Sequence, residues 1–370
     1  MIIIYPPTLD WGWMKQRPQQ LMTCLARNGH TVFFCNPSWS EPRIEEVEPR
    51  LFVVRQFERW LREDWPAYRS QQAQQEQVTV WCSFPKLAST LQQFDPDYIV
   101  YDCVDEFAQW APYEAEMVRT ADAIICTSER LFANKKRSSP GKKLALIRNA
   151  YDKDMMLHID SLQPAGEVNN DAVFGRPPIE RGALSLQDAV PIMPLEREGS
   201  SSAALKRAVY IGAWAPWVDD MLLRRLADAI PDVEVLVIGP EFGKPFPRHV
   251  PNKRLRFLGL KPHAELAHYI RQADVLLLPF RIMPVTLSTN PVKLYEYLAA
   301  GKPVVSTALP EARLLQPEVD VAATHGAFIE LVRHRLQHPG DASARTALAL
   351  KHTWEHRAAQ AEALLKELTR

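Results

Sequence analysis

Glycine is scarce in this chain, supplying 14 of 370 residues, about 4% where about 7% is usual. The glycines nowhere spell G-x-G-x-x-G or G-x-x-x-x-G-K-[ST]. Both motifs work by letting the backbone approach phosphate oxygens closely, so a P-loop kinase and a standard dinucleotide binder are excluded. Net charge is lacking too. Lys+Arg and Asp+Glu are both 44, which argues against a dedicated nucleic-acid binder. No apolar run approaches the ~20 residues that span a bilayer. The opening Met1-Ile2-Ile3-Ile4-Tyr5-Pro6-Pro7 has neither the basic start nor the apolar length of a secretory signal, so a cytoplasmic chain is expected. Cys24, Cys35, Cys82, Cys103 and Cys126 form no C-x-x-C pair. They are expected to be reduced and buried rather than bridged or bound to a metal.

What is present is a repeated alternation of strand-like and helix-like runs. Ile2–Tyr5, Thr31–Cys35, Leu51–Arg55, Val78–Cys82, Tyr98–Tyr101, Ala123–Cys126 and Leu144–Ile147 read as strands. Between the first two, Gln16–Asn28 reads as a helix started by Pro18 and ended by Gly29. Continuous apolar strands separated by helices indicate a parallel sheet covered on both faces. The pattern fails over 155–205, where prolines and the run Gly199-Ser200-Ser201-Ser202 predict an irregular linker or insertion. It resumes with strands at Val209–Ile211, Val233–Ile238, Arg256–Leu258, Val275–Leu278 and Val304–Ser306, and helices at Asp219–Ile230, His263–Ala273, Pro291–Ala300 and Trp354–Leu368. The expected class is α/β, with two doubly wound parallel-sheet domains, 1–154 and 206–353. Ligands in such sheets bind at the carboxyl ends of the strands, so a cleft between the domains is the expected site.

One segment points to a particular chemistry. In Thr289-Asn290-Pro291-Val292-Lys293-Leu294-Tyr295-Glu296-Tyr297-Leu298-Ala299-Ala300-Gly301, Asn290 suits a helix N-cap, Pro291 the first helical position and Gly301 the left-handed residue past the end. A helix N-terminus offers free N–H groups and about half a positive charge, which suits phosphate. Lys293 in the first turn adds a full charge. Glu296, one turn on along the same face, can accept hydrogen bonds from a ribose diol. An ordinary exposed Lys–Glu pair fits the same spacing.

This segment, with Pro303-Val304-Val305-Ser306 after it, resembles the donor-site motif of the retaining glycosyltransferases of family GT4. Leu258-Gly259-Leu260 and Ala273-Asp274-Val275-Leu276-Leu277-Leu278-Pro279-Phe280 are similar to other stretches of that family, as are Arg148-Asn149-Ala150-Tyr151-Asp152 and Ala121–Ser128. Trp11–His30 resembles a subgroup typified by a teichuronic-acid transferase. The resemblance covers most of the chain outside 155–205. It implies the GT-B fold: two Rossmann-like domains, the first (1–154) binding the acceptor and the second (206–353) the nucleotide-sugar, with the last helix (354–370) packing back on the first. It further implies metal-independent transfer, no cofactor besides a nucleoside-diphosphate sugar as donor, and a cell-surface polysaccharide or lipid-linked acceptor. A GT-B nucleotide-sugar epimerase and a non-catalytic nucleotide-binding scaffold remain as alternatives. Two positions depart from the family pattern. Ser288 stands where a second glutamate often lies, leaving backbone N–H groups of Ser288, Thr289 and Asn290 to meet the donor. Ile211–Asp219 lacks the usual Arg and Lys, so Lys293 and then Arg281 are the expected cations, with Gly212 and Trp214 in the same strand-end loop.

On the acceptor side, Arg17 falls at the first strand-to-helix loop, and Asp102 and Asp105 near the end of the strand Tyr98–Tyr101. A carboxylate there can position a hydroxyl or act as base; Asp105 as a helix cap and Arg17 as a solvated helix start fit equally. Trp11 and Trp13 suit a sugar platform or loop packing. His30 and His263 are expected to be structural. Lys135, Lys136, Arg137, Lys142 and Lys143 form a basic cluster that suits either solvent or peripheral contact with the inner face of an anionic membrane.

Overall fold

A computed structural model describes residues 1–71, 75–159 and 205–369. It contains two sheets. The first runs β1 (Ile2–Tyr5), β2 (Thr31–Cys35), β3 (Ile44–Glu48), β4 (Leu51–Val54), β5 (Val78–Cys82), β6 (Tyr98–Cys103), β7 (Ala123–Cys126) and β8 (Lys143–Leu146). Their spatial order is β3-β4-β2-β1-β5-β6-β7-β8. All pairings are parallel except β3 with β4. The second sheet, built from β9 (Lys206–Ile211), β10 (Val233–Ile238), β11 (Leu255–Gly259), β12 (Val275–Leu278), β13 (Val304–Thr307) and β14 (Val319–Ala322), is parallel throughout in the order β11-β10-β9-β12-β13-β14.

The sequence reading missed β3 and β14. In β3, Ile44-Glu45-Glu46-Val47-Glu48 carries three carboxylates. An edge strand tolerates such charge because only one side of it is paired. In β14, Val319-Asp320-Val321-Ala322 is broken by a carboxylate and buried only at its two ends, so it makes no continuous apolar run. β6 runs two residues further than expected, to Cys103, which places Asp102 inside the sheet.

Successive side chains of β1 alternate between the two faces of the first sheet, as strand geometry requires. Ile2 and Ile4 join one core with Trp60, Trp65 and Phe94. Ile3 and Tyr5 join the other, with Leu21 and Leu25 of the Arg17–Arg27 helix and with Trp354, Ala358, Ala361 and Leu365 of the Trp354–Leu368 helix. The spacing of those last four is one helical stripe. The chain's final helix therefore packs against the first sheet's layer, although the helices before it cover the second. The connection is tight: Tyr151 N–H donates to the His352 carbonyl at 2.8 Å, and Trp354 N–H to the Tyr151 carbonyl at 3.3 Å. The outgoing and returning chains thus run side by side. Tyr151, Met155 and Leu157 already pack in the core of the second sheet. Of the segment read as a linker, 160–204 lies outside the described residues. Among the described residues no helix is long and apolar enough to cross a membrane.

Candidate donor and acceptor site

The carboxyl ends of the two sheets face each other, and side chains cross between them. Asp105 and Glu106 follow β6, Glu129 follows β7 and Arg148 and Asn149 follow β8. Opposite them stand Ser288, Thr289 and Asn290, in the connection after β12, and Glu311 after β13. The Thr289 hydroxyl donates to Asp105 Oδ1 at 2.9 Å. Ser288, fully buried, donates to Glu106, and Arg130 Nε donates to Ser288 Oγ at 3.1 Å.

The helix expected at Pro291–Ala300 forms over Val292–Ala299, with Pro291 rather than Asn290 at the cap position. Asn290 is 2% exposed and ties the two halves together. Its Oδ1 accepts from Asn149 N–H at 2.8 Å, its carbonyl from the Asn149 amide at 2.5 Å, and its Nδ2 donates to Glu311 Oε2 at 2.9 Å. Its side chain is spent on the domain crossing and is unavailable to a donor.

Lys293 and Glu296 behave differently. Neither side chain forms a hydrogen bond or ion pair, and both are only partly buried. The Lys293 ammonium lies 6.0 Å from the Tyr210 ring centroid and 5.8 Å from that of Phe280. It passes directly over Gly212: a Cβ there would sit 2.7 Å from Lys293 Cε and 2.9 Å from Nζ. Gly212, with φ +151°, is thus the floor on which the lysine rests. Burial lowers the Lys293 pKa, against the pull of Glu296 and Asp105. Burial pushes Glu296 up to about 7, with Lys293 holding it down, and does the same to Asp105, held down by the Thr289 hydrogen bond and by Lys293 and Arg17. Two carboxyls raised by burial, beside one ammonium that no ion pair takes up, mark this as the candidate ligand site.

Several expected site residues are engaged elsewhere. Arg17 and Asp102 form a bidentate pair, with Nε to Oδ2 at 2.9 Å and Nη2 to Oδ1 at 2.9 Å. Asp102 is fully buried, Arg17 is 4% exposed, and the Trp81 indole also donates to Asp102. Neither can meet a substrate directly; Arg17 reaches on to the Arg148 carbonyl and Asn149, and so braces the domain crossing. Arg281, 49% exposed, pairs with Asp220 at 2.6 Å, a carboxylate that it shares with Lys244. Trp214 is 1% exposed, donates to the Pro245 carbonyl and packs edge-on to Phe257; it offers no stacking face. Trp11 packs on Phe34, whereas Trp13 is 55% exposed. His30 pairs with Glu362 on the final helix, the structural role expected of it. His263 is partly buried, and burial together with the Lys15 charge lowers its pKa. The basic cluster does not present five free charges. Lys135 is buried against Glu114 and Lys142 donates to backbone carbonyls, leaving Lys136, Arg137 and Lys143 exposed, the last donating to the Glu367 carbonyl.

The sequence reading missed Glu311. It is 2% exposed and accepts from Arg148 Nε at 2.8 Å, from Asn290 and from Glu129 N–H at 2.9 Å. Its place directly after a parallel strand, in Leu309-Pro310-Glu311, was the available signal. Lys15 was missed as well. It pairs with Asp152 at 2.7 Å on the crossing chain, and both charges are felt at Glu296.

Residues 219–363 match the model of the family described as glycosyl transferase-like. TuaH of Bacillus subtilis (strain 168), named for teichuronic acid biosynthesis as a glycosyltransferase, is 23% identical over 262 residues. That match takes in 65% of this chain and 58% of TuaH, so the chain spans under two thirds of that relative's length. Over these stretches the chain is similar to glycosyltransferases. Its fold is GT-B. The sucrose-phosphate synthase of Thermosynechococcus elongatus superimposes with a TM-score of 0.66 at 16% identity, covering 100% of this chain and 98% of that one. Anabaena HepE in complex with UDP gives 0.62 at 12%, covering 99% of each chain. The α,α-trehalose 6-phosphate synthase of Burkholderia multivorans gives 0.60 at 11%, covering 100% and 98%.

Proposed function

We propose that this protein moves a sugar from a nucleoside-diphosphate donor to a cell-surface polysaccharide or lipid-linked acceptor, with retention of configuration and without a metal ion. The observation that carries this reading is the unpaired Lys293–Glu296 couple over Gly212 at the carboxyl ends of the second sheet. Lys293, with the N–H groups that begin its helix, meets the diphosphate and stabilises the negative charge that develops as the sugar leaves. Glu296 accepts the ribose hydroxyls. Asp105, with one oxygen on Thr289 and a pKa near 7, receives the acceptor hydroxyl, where a carboxylate titrating near the working pH serves best. Ser288, buried on Glu106, leaves backbone N–H groups rather than a carboxylate for the donor sugar. Localisation on the cytoplasmic side follows from a nucleotide-activated donor. The name of TuaH supports an envelope polysaccharide, and the UDP held by HepE makes UDP the first nucleotide to try.

Calorimetry with UDP and GDP tests the site. Binding of either nucleotide by the wild type, weakened about tenfold or more in Lys293→Ala and in Glu296→Ala, is expected. Equal binding by both variants overturns the assignment. Transfer of radiolabel from a panel of nucleotide-sugars into membrane extract tests the activity, and no transfer from any donor favours a binding scaffold.

A further inference from the structure

At the other end of the first sheet's carboxyl edge lies a cavity of about 500 Å³, within the range of small-ligand sites. Its walls come from the segments that follow three adjacent parallel strands: Pro7 after β1, Pro37 and Trp39 after β2, and Arg55, Phe57 and Arg62 after β4. The rim is held in place. Asp10 accepts from both the N–H and the hydroxyl of Ser38, and Asn36 accepts from Trp11 N–H. Trp39 is nevertheless 71% exposed, the most exposed large apolar side chain among the described residues. A rigidly anchored loop that displays a bare indole over a cavity is arranged to cover something flat.

The charged side chains that line it are mostly cationic. Arg55, Arg59 and Arg62 line the cavity with a single carboxylate, Glu58. Arg55 and Arg59 are paired outward with Glu45 and Glu63. Arg62 donates only to the Glu58 carbonyl at 3.2 Å and has no carboxylate partner. Arg55 Nε is buried without any hydrogen-bond partner, an orphaned donor in the wall. We propose that this cavity is a binding site for a sugar unit that carries a carboxylate or phosphate, its ring face on Trp39 and its anion on the Arg62 guanidinium. A planar fork suits either anion.

The sheet order sets where such a unit would sit. β2 and β4 lie three and four strands from β6, which at ~4.8 Å per strand puts the cavity roughly 14–19 Å from Asp105 along the same edge. That is further than one sugar ring reaches. The ligand is therefore a chain, its anionic unit anchored here while its growing end lies at Asp105; this last step rests on the sugar-transfer reading above, whereas binding at the cavity does not.

The test uses a galacturonate hexasaccharide, maltohexaose as its neutral counterpart, and UDP, each titrated into the full chain by calorimetry. Trp39 and Arg62 are exposed, so Trp39→Ala and Arg62→Gln leave the core untouched. The wild type is expected to bind the charged oligosaccharide, less tightly as salt rises, and each variant to bind it about tenfold more weakly or worse. UDP binding is expected to be the same in all three proteins. Absence of binding by the charged probe, equal binding of maltohexaose, or unchanged binding in the variants overturns the proposal. Oligosaccharide binding as described, with neither UDP nor GDP bound, leaves the cavity standing and overturns the donor site instead.

Discussion

Arg148 of the first domain and Glu311 of the second meet at 2.8 Å, and the glutamate is almost wholly enclosed. The same carboxylate receives the N–H of Glu129, at the start of the Glu129–Ser138 helix, where the helix dipole favours a negative charge. One acidic side chain from the second domain thus docks onto a cation and a helix end of the first. Glu311→Ala strips partners from a guanidinium, an amide N–H and the Asn290 side chain together. Orphaning a buried charge costs about 3–5 kcal/mol. Arg148 keeps Glu129 and some solvent, so the expected loss is roughly 2–3 kcal/mol, read as a lower urea midpoint. A midpoint unchanged from the wild type would show that the domains do not depend on this contact.

Asp102 and Asp105 lie three residues apart and are expected to respond oppositely to loss of charge. Asp102→Asn breaks a buried bidentate pair with Arg17 and should cost about 3–5 kcal/mol, whatever the assay. Asp105→Asn breaks no ion pair and should leave the fold intact while abolishing transfer. Thermal unfolding of the two variants side by side decides which aspartate is structural; a stable Asp102→Asn would return it to the list of catalytic candidates.

The difference between those two aspartates also marks the limit of what the sequence carries. Strands such as β1 and β10 were legible because each is a short apolar run buried on both faces. The Lys293–Glu296 couple was legible because both residues share one face of one helix, so their spacing alone implies proximity. Asp102 was not, because its partner Arg17 is 85 residues away. Glu311 was not, because Arg148 is 163 residues away. Trp214 and Arg281 were placed in the right strand-end loops, but whether a loop side chain points into the cleft or into the domain depends on neighbours such as Phe257 and Asp220. Local pattern finds the edge of the sheet where a site must lie; long-range pairing decides which residues there are free.

A pH dependence follows from the raised carboxyls. In the folded protein Asp105 and Glu296 hold their protons up to about 7, whereas the unfolded chain releases them near 4. Between those values the folded state binds more protons. The contribution to stability is therefore complete below about pH 4 and is lost as pH rises through about 7. Removing either charge should stabilise the protein above that window. Asp105→Asn and Glu296→Gln should each gain on the order of 1–3 kcal/mol near pH 8, with no gain near pH 4. Urea unfolding at the two pH values checks this, and a variant less stable than the wild type near pH 8 would mean that Lys293 outweighs burial at that carboxyl. Loss of function with gain of stability is the expected signature of groups held for chemistry.

Two glycines separate the fold from the site beneath Lys293. Gly239 has φ +147°, and a Cβ on it would lie 2.1 Å from the Gly212 carbonyl oxygen, a backbone atom between two parallel strands that has nowhere to move. Gly239→Ala should therefore push β9 and β10 apart at their carboxyl ends and cost more than the ~1–3 kcal/mol of backbone strain alone. Gly212→Ala suffers similar strain, but its Cβ meets the far end of a flexible lysine and the Tyr210 hydroxyl. Lys293 can swing away. The expected result is a protein that still folds, less stable by about 1–3 kcal/mol, in which the ammonium no longer lies where the diphosphate would meet it. Nucleotide affinity should then fall toward that of Lys293→Ala, and Gly212→Ala combined with Lys293→Ala should bind no worse than Lys293→Ala alone. Calorimetry on the three variants checks it: additive losses would mean that Gly212 meets the nucleotide itself rather than acting through the lysine.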